Sequence, residues 1–124
     1  MTSLVDPERI SPGDVVWVPF PHVEDASLHP RPALIVATGL GPAGVLCWAL
    51  MITNAKRESW PGDVLIADHA EVGLPVPSKI RTAKVATLEA HAAHHLGQLS
   101  DPDWHAVTAA LPFFAAPDRL PAPD

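Results

Sequence analysis

Fifteen prolines in 124 residues leave little room for long helices. Each proline removes a backbone N–H, and its ring clashes with the preceding helical turn. They gather at segment edges: Pro12, Pro19 and Pro21, Pro30 and Pro32, Pro61, Pro75 and Pro77. Between them lie short runs rich in β-branched and apolar residues, the composition of strands. A Gly13-Asp14 turn opens VVWVPF, in which Pro19 suggests an edge or a bulge. ALIVAT and VLCWALMIT follow, joined by the glycine-rich GLGPAG, which reads as a hairpin turn. DVLIA and the stretch KIRTAKVATL at 79–88 complete the strand set. Residues 21–32, 54–61 and 68–77 read as loops.

One helix is expected, late in the chain. Ser100 supplies a capping hydroxyl, Pro102 fits the first turn, and Asp101 and Asp103 suit the positive helix end. Trp104, Val107 and Leu111 then recur at helical spacing and give it one apolar stripe. The pattern predicts a mainly β domain over residues 13–111, a small barrel or strongly curled sheet with one C-terminal helix. Residues 1–12 read as an N-terminal arm and 112–124 as a frayed tail.

The charge pattern narrows the function. A net charge of −6 argues against a protein that coats nucleic acid indiscriminately. Yet Lys56, Arg57, Lys79, Arg81 and Lys84, five of the eight basic residues, fall between Thr53 and Val85. A local basic groove is compatible with that segregation. The N-terminus lacks the basic start and apolar core of a signal peptide, and no apolar run approaches the roughly 20 residues of a membrane span. The chain is expected to be soluble and cytoplasmic.

Three features resemble sites and read better as structure. Gly39, Gly41 and Gly44 spell GxGxxG, but a dinucleotide loop requires a helix next, and VLCWALMIT is strand-like. His91 and His95 stand at i and i+4, yet Ala92 occupies the place of a metalloprotease glutamate and no cysteine is near. That segment is expected to be a solvated surface turn, and no metal or other cofactor is assigned. The lone Cys47 excludes an internal disulfide and reads as a small buried hydrophobe.

Three segments in order carry a family resemblance: GDVVWVPFPHVE, RPALIVAT, and SKIRTAKVATLE followed by LGQL. With them, the chain from Gly13 onward resembles the MazF/PemK toxins of type II toxin–antitoxin systems. The resemblance implies an SH3-like small β-barrel with an appended helix, the plasmid-maintenance toxin fold shared with CcdB. It also implies a homodimer, a cognate antitoxin as partner, and metal-independent cleavage of single-stranded mRNA through a 2′,3′-cyclic phosphate. Matched to the family, Arg31, Thr53 and Arg81 are candidate catalytic residues. An arginine fork suits a phosphate, and being always charged it stabilises anionic oxygen better than it removes a proton. Lys56, Arg57, Ser78, Lys79 and Lys84 are candidate RNA-binding residues.

In part of the family an acidic residue, a proposed general base, follows the second arginine by two positions. Here that position is Ala83. The first loop offers His22, Glu24 and Asp25 instead, and an imidazole titrates near neutrality. Two rival readings remain at this point: a catalytically silent RNA- or protein-binding module of the same fold, and a CcdB-like gyrase poison.

Overall fold

The structure, a computed structural model, describes residues 10–18 and 30–111. Its strands are β1 (Asp14–Val18), β2 (Arg31–Leu40), β3 (Leu46–Asn54), β4 (Asp63–Leu65), β5 (Ser78–Glu89) and β6 (His94–Gln98), followed by helix α1 (Asp101–Ala110). They form one six-stranded sheet in the order β4-β5-β3-β2-β1-β6, with every pairing antiparallel. The hairpin between β2 and β3 turns through a short 3-10 segment at Pro42–Gly44, so the GxGxxG stretch leads into a strand. The long DHAEVGLPVP stretch is a connection between β4 and β5, as its turn residues imply.

Successive strand residues point to opposite faces, and here both faces are buried. On one face Val15, Leu34, Val36, Leu50, Ile52 and Ile80 pack against Val107 and Leu111, with Trp104 alongside. The expected apolar stripe of α1 therefore covers this side. On the other face Val16, Val18, Ala33, Ile35, Cys47, Ala49 and Leu88 form a second cluster with Ile10. Burial pushes the Cys47 thiol up, which keeps it protonated and inert.

The helix begins as its sequence dictates. Ser100 Oγ accepts the Asp103 backbone N–H at 3.3 Å. Asp103 then accepts the Ala67 N–H at 3.0 Å, tying the connection after β4 to the helix. Strand β6 is the departure from expectation. The His-rich segment makes a turn only at Ala90–Ala92, and His94–Gln98 pairs with β1. Leu96 is its single apolar anchor against the core, too little alternation to betray a strand.

The ladder of hydrogen bonds remains open between the edge strands β4 and β6. The connection after β4 bridges that opening by backbone contact. A Cβ built on Gly97 of β6 would stand 2.6 Å from the Val72 carbonyl oxygen, a separation that side chains do not tolerate. The absent side chain is what lets the connection approach β6 so closely. Gly97→Val is therefore expected to destabilise the protein by about 1–3 kcal/mol through forced separation of these backbones. A urea-unfolding midpoint equal to wild type would contradict this account of closure.

Candidate RNA-binding cleft

Polar side chains accumulate at one end of the sheet. There β1 and β3 end while β2 and β5 begin, because neighbouring strands are antiparallel. Val18 pairs with Arg31, Trp17 with Pro32, Thr53 with Lys79 and Asn54 with Ser78. Ala33 pairs with Met51, and the same ladder extended by two residues brings Arg31 opposite Thr53. These ends surround a cleft of about 200 Å³ lined by Arg31, Thr53, Asn54, Arg57 and Ser78 on its polar side. Trp17, Pro32, Leu74, Pro75 and Val76 supply an apolar wall.

Arg31 is half-buried, and its Nε is buried without a hydrogen-bond partner among the described residues. Arg81 Nε, away from the cleft, is buried and unpartnered in the same way, so what distinguishes Arg31 is its place in the cleft lining. Thr53 is half-buried beside it. An arginine fork and a hydroxyl sharing one small cleft match the donor set of an oxyanion or phosphate site.

Arg81 and Lys79 have a different environment. Both project from β5 on the face opposite Ile80, and neither lines the cleft. Their charges converge on Asp63: Arg81 Nη2 lies 3.5 Å and Lys79 Nζ 3.6 Å from its Oδ2. All three side chains are less than one-tenth exposed. The Trp60 backbone N–H also donates to Asp63 Oδ2, at 2.9 Å. Lys79 Nζ further donates to the Arg57 carbonyl and to Ser59 Oγ, and Arg81 donates to the Glu58 carbonyl. The Arg81 guanidinium stacks 4.1 Å above the Trp60 ring, with Lys84 Nζ at 5.9 Å. Together these contacts pin residues 57–60, and so hold Arg57 at the cleft. Gly62 completes the turn, since a Cβ there would stand 2.6 Å from Thr82 Oγ1.

The expected site residues thus separate into groups. Arg31, Thr53, Arg57 and Ser78 share the cleft, whereas Lys79 and Arg81 form the clamp under the 57–60 loop. Lys56 is exposed on that loop, and Lys84 stands over Trp60. Ala83 is exposed. His22, Glu24 and Asp25 lie outside the described residues. Sequence reasoning missed Trp17 and Asn54 as cleft residues. Trp17 reaches the cleft through its register with Pro32 and Asn54 through its register with Ser78, which no local sequence signal marks. Among the described residues no three His, Cys, Asp or Glu side chains gather as a metal-ligand set. No described helix is long and apolar enough to cross a membrane.

The sequence pattern of the PemK-like, MazF-like toxins of type II toxin–antitoxin systems matches residues 11–114, and the chain belongs to that family. Solved structures share the fold. The MazE–MazF complex of Deinococcus radiodurans superposes with a TM-score of 0.61 at 20% identity, covering 82% of this chain and 90% of that one. An endoribonuclease from a mycobacterial species, solved with its cognate antitoxin, gives 0.63 at 19%, covering 93% and 100%. The Mycobacterium tuberculosis toxin MazF-mt6 gives 0.62 at 18%, covering 82% and 94%. No curated protein sequence matches the chain.

The clamp makes a stability prediction. Asp63→Ala leaves two buried cations without a counter-charge and is expected to cost about 3–5 kcal/mol. Chemical denaturation checks it, and an unchanged midpoint would mean that the carboxylate is dispensable.

Proposed function

We propose that this toxin is a metal-independent endoribonuclease that cuts single-stranded mRNA at the rim cleft. The observation that carries the reading is Arg31 beside Thr53, an arginine fork and a hydroxyl that line one cleft. A phosphodiester seated there would place its non-bridging oxygens against the guanidinium and the Thr53 hydroxyl. The RNA 2′-oxygen attacks phosphorus as its proton passes to a base. The bond to the 5′-oxygen breaks, that oxygen takes up a proton, and the products are a 2′,3′-cyclic phosphate and a 5′-hydroxyl. Charge grows on the non-bridging oxygens in the transition state, which is where fixed donors accelerate the reaction.

The base in this reading comes from the first loop, with His22 the leading candidate and Glu24 and Asp25 the others. Support comes from the flanking residues: Val18 and Arg31, one on each side of that segment, pair with each other at the cleft end of the sheet. Arg57 and Ser78 bind the RNA in the cleft, while the exposed Lys56 and the half-buried Lys84 add positive charge nearby. Lys79 and Arg81 act by holding the 57–60 loop. The active form is a homodimer in the cytoplasm, and an antitoxin is its cognate partner, as the complexes of similar toxins suggest.

Ala83 favours a second reading, a catalytically silent binding module, because a carboxylate proposed as base in part of the family is missing. Arg31→Ala separates the two. In the nuclease reading the variant keeps its fold and loses roughly a hundredfold or more in cleavage rate on single-stranded RNA with EDTA present. Near wild-type cleavage by the folded variant would overturn the assignment of Arg31. No cleavage by the wild type would favour the binding module.

A further inference from the structure

Asn54 and Ser78 face each other as register partners on β3 and β5, and both line the cleft that holds Arg31 and Thr53. Their hydrogen-bonding polarity is fixed by the backbone. The Asn54 Oδ1 accepts the Lys56 N–H at 2.8 Å, which leaves the amide NH2 to donate. The Ser78 hydroxyl donates its only proton to the Val76 carbonyl at 2.8 Å, which leaves its oxygen to accept. Ser78 is almost fully buried, with 3% exposure, whereas Asn54 is exposed at the rim of the cleft. One wall therefore presents a donor beside an acceptor, with their roles set before any ligand arrives. The facing wall of Trp17, Pro32, Leu74, Pro75 and Val76 is apolar and includes an indole.

We propose that Asn54 and Ser78 are specificity-determining residues that read the edge of one RNA base next to the cleaved phosphate. The inference rests on the nuclease reading above and adds to it the element that selects the site. A flat ring fits against the apolar wall, and stacking there tolerates any base. Discrimination then falls to the polar pair. Each nucleobase offers a donor and an acceptor on its pairing edge, in one order for adenine and cytosine and in the reverse order for guanine and uracil. A pair with fixed polarity accepts one order and sets donor against donor and acceptor against acceptor with the other.

Asn54→Asp is the sharpest probe. Aspartate keeps an oxygen to accept the Lys56 N–H, so the turn is retained, while the free donor becomes an acceptor. A random single-stranded RNA library is cut with each protein, and the 5′-hydroxyl ends are sequenced. The expected result is a change of base preference of about tenfold at a single position of the cleavage motif, with preferences elsewhere unaltered. Ser78→Ala relaxes preference at that same position, and Ser78→Thr, which restores the hydroxyl, recovers it. Should Asn54→Asp cut too slowly to sequence, competition binding among oligonucleotides varied at that position reads the same switch. Variants that share the wild-type motif overturn this inference alone. A wild type that cuts nothing in the library overturns the nuclease reading and this inference with it.

Discussion

Burial of both faces of the central strands is the constraint from which the rest of the molecule follows. In β2, Ala33 and Ile35 enter one apolar cluster while Leu34 and Val36 enter the other. In β3, Cys47 and Ala49 divide from Leu50 and Ile52 in the same way. A charged side chain in the middle of either strand would be stranded in hydrocarbon, at a cost of several kcal/mol. Polar function is thereby driven to the strand ends. Because neighbouring strands are antiparallel, the beginning of β2, the end of β3 and the beginning of β5 coincide, and one cleft collects Arg31, Thr53, Asn54 and Ser78.

Two arginines of the same chemistry meet opposite fates under that constraint. Arg81 is surrounded by a carboxylate, a backbone carbonyl and an indole face, and most of its charge is already answered. Arg31 instead lines the cleft, half-buried at the strand end. An arginine locked to a carboxylate stabilises the fold, and one lining a cleft can meet an anionic ligand. The two roles are linked, since the clamp around Asp63 fixes the loop that carries Arg57 to the cleft.

Much of this was legible in the sequence. Proline spacing and β-branched runs located five strands, and Ser100 with the acids of the first turn located the helix. Those signals are local: turn chemistry, capping and alternation. Strand β6 escaped because only Leu96 anchors it and histidines fill its exposed positions. The clamp escaped for a different reason. Asp63 and Arg81 are eighteen positions apart in the sequence, and nothing local in SKIRTAK says that two of its cations are buried. Asn54 read as the start of a loop, and only the register opposite Ser78 reveals it as part of the cleft wall.

The proposed function rests on one claim: that this protein would cut RNA by using the neighbouring 2′-hydroxyl, with protein donors alone steadying the phosphorus centre. The chemistry of the product ends tests it most directly. Purified protein is incubated with single-stranded RNA in EDTA, and the termini of the fragments are identified. The account predicts 2′,3′-cyclic phosphate and 5′-hydroxyl ends at full rate without divalent metal. Fragments bearing 5′-phosphates, or cleavage that appears only when a divalent cation is restored, would contradict it.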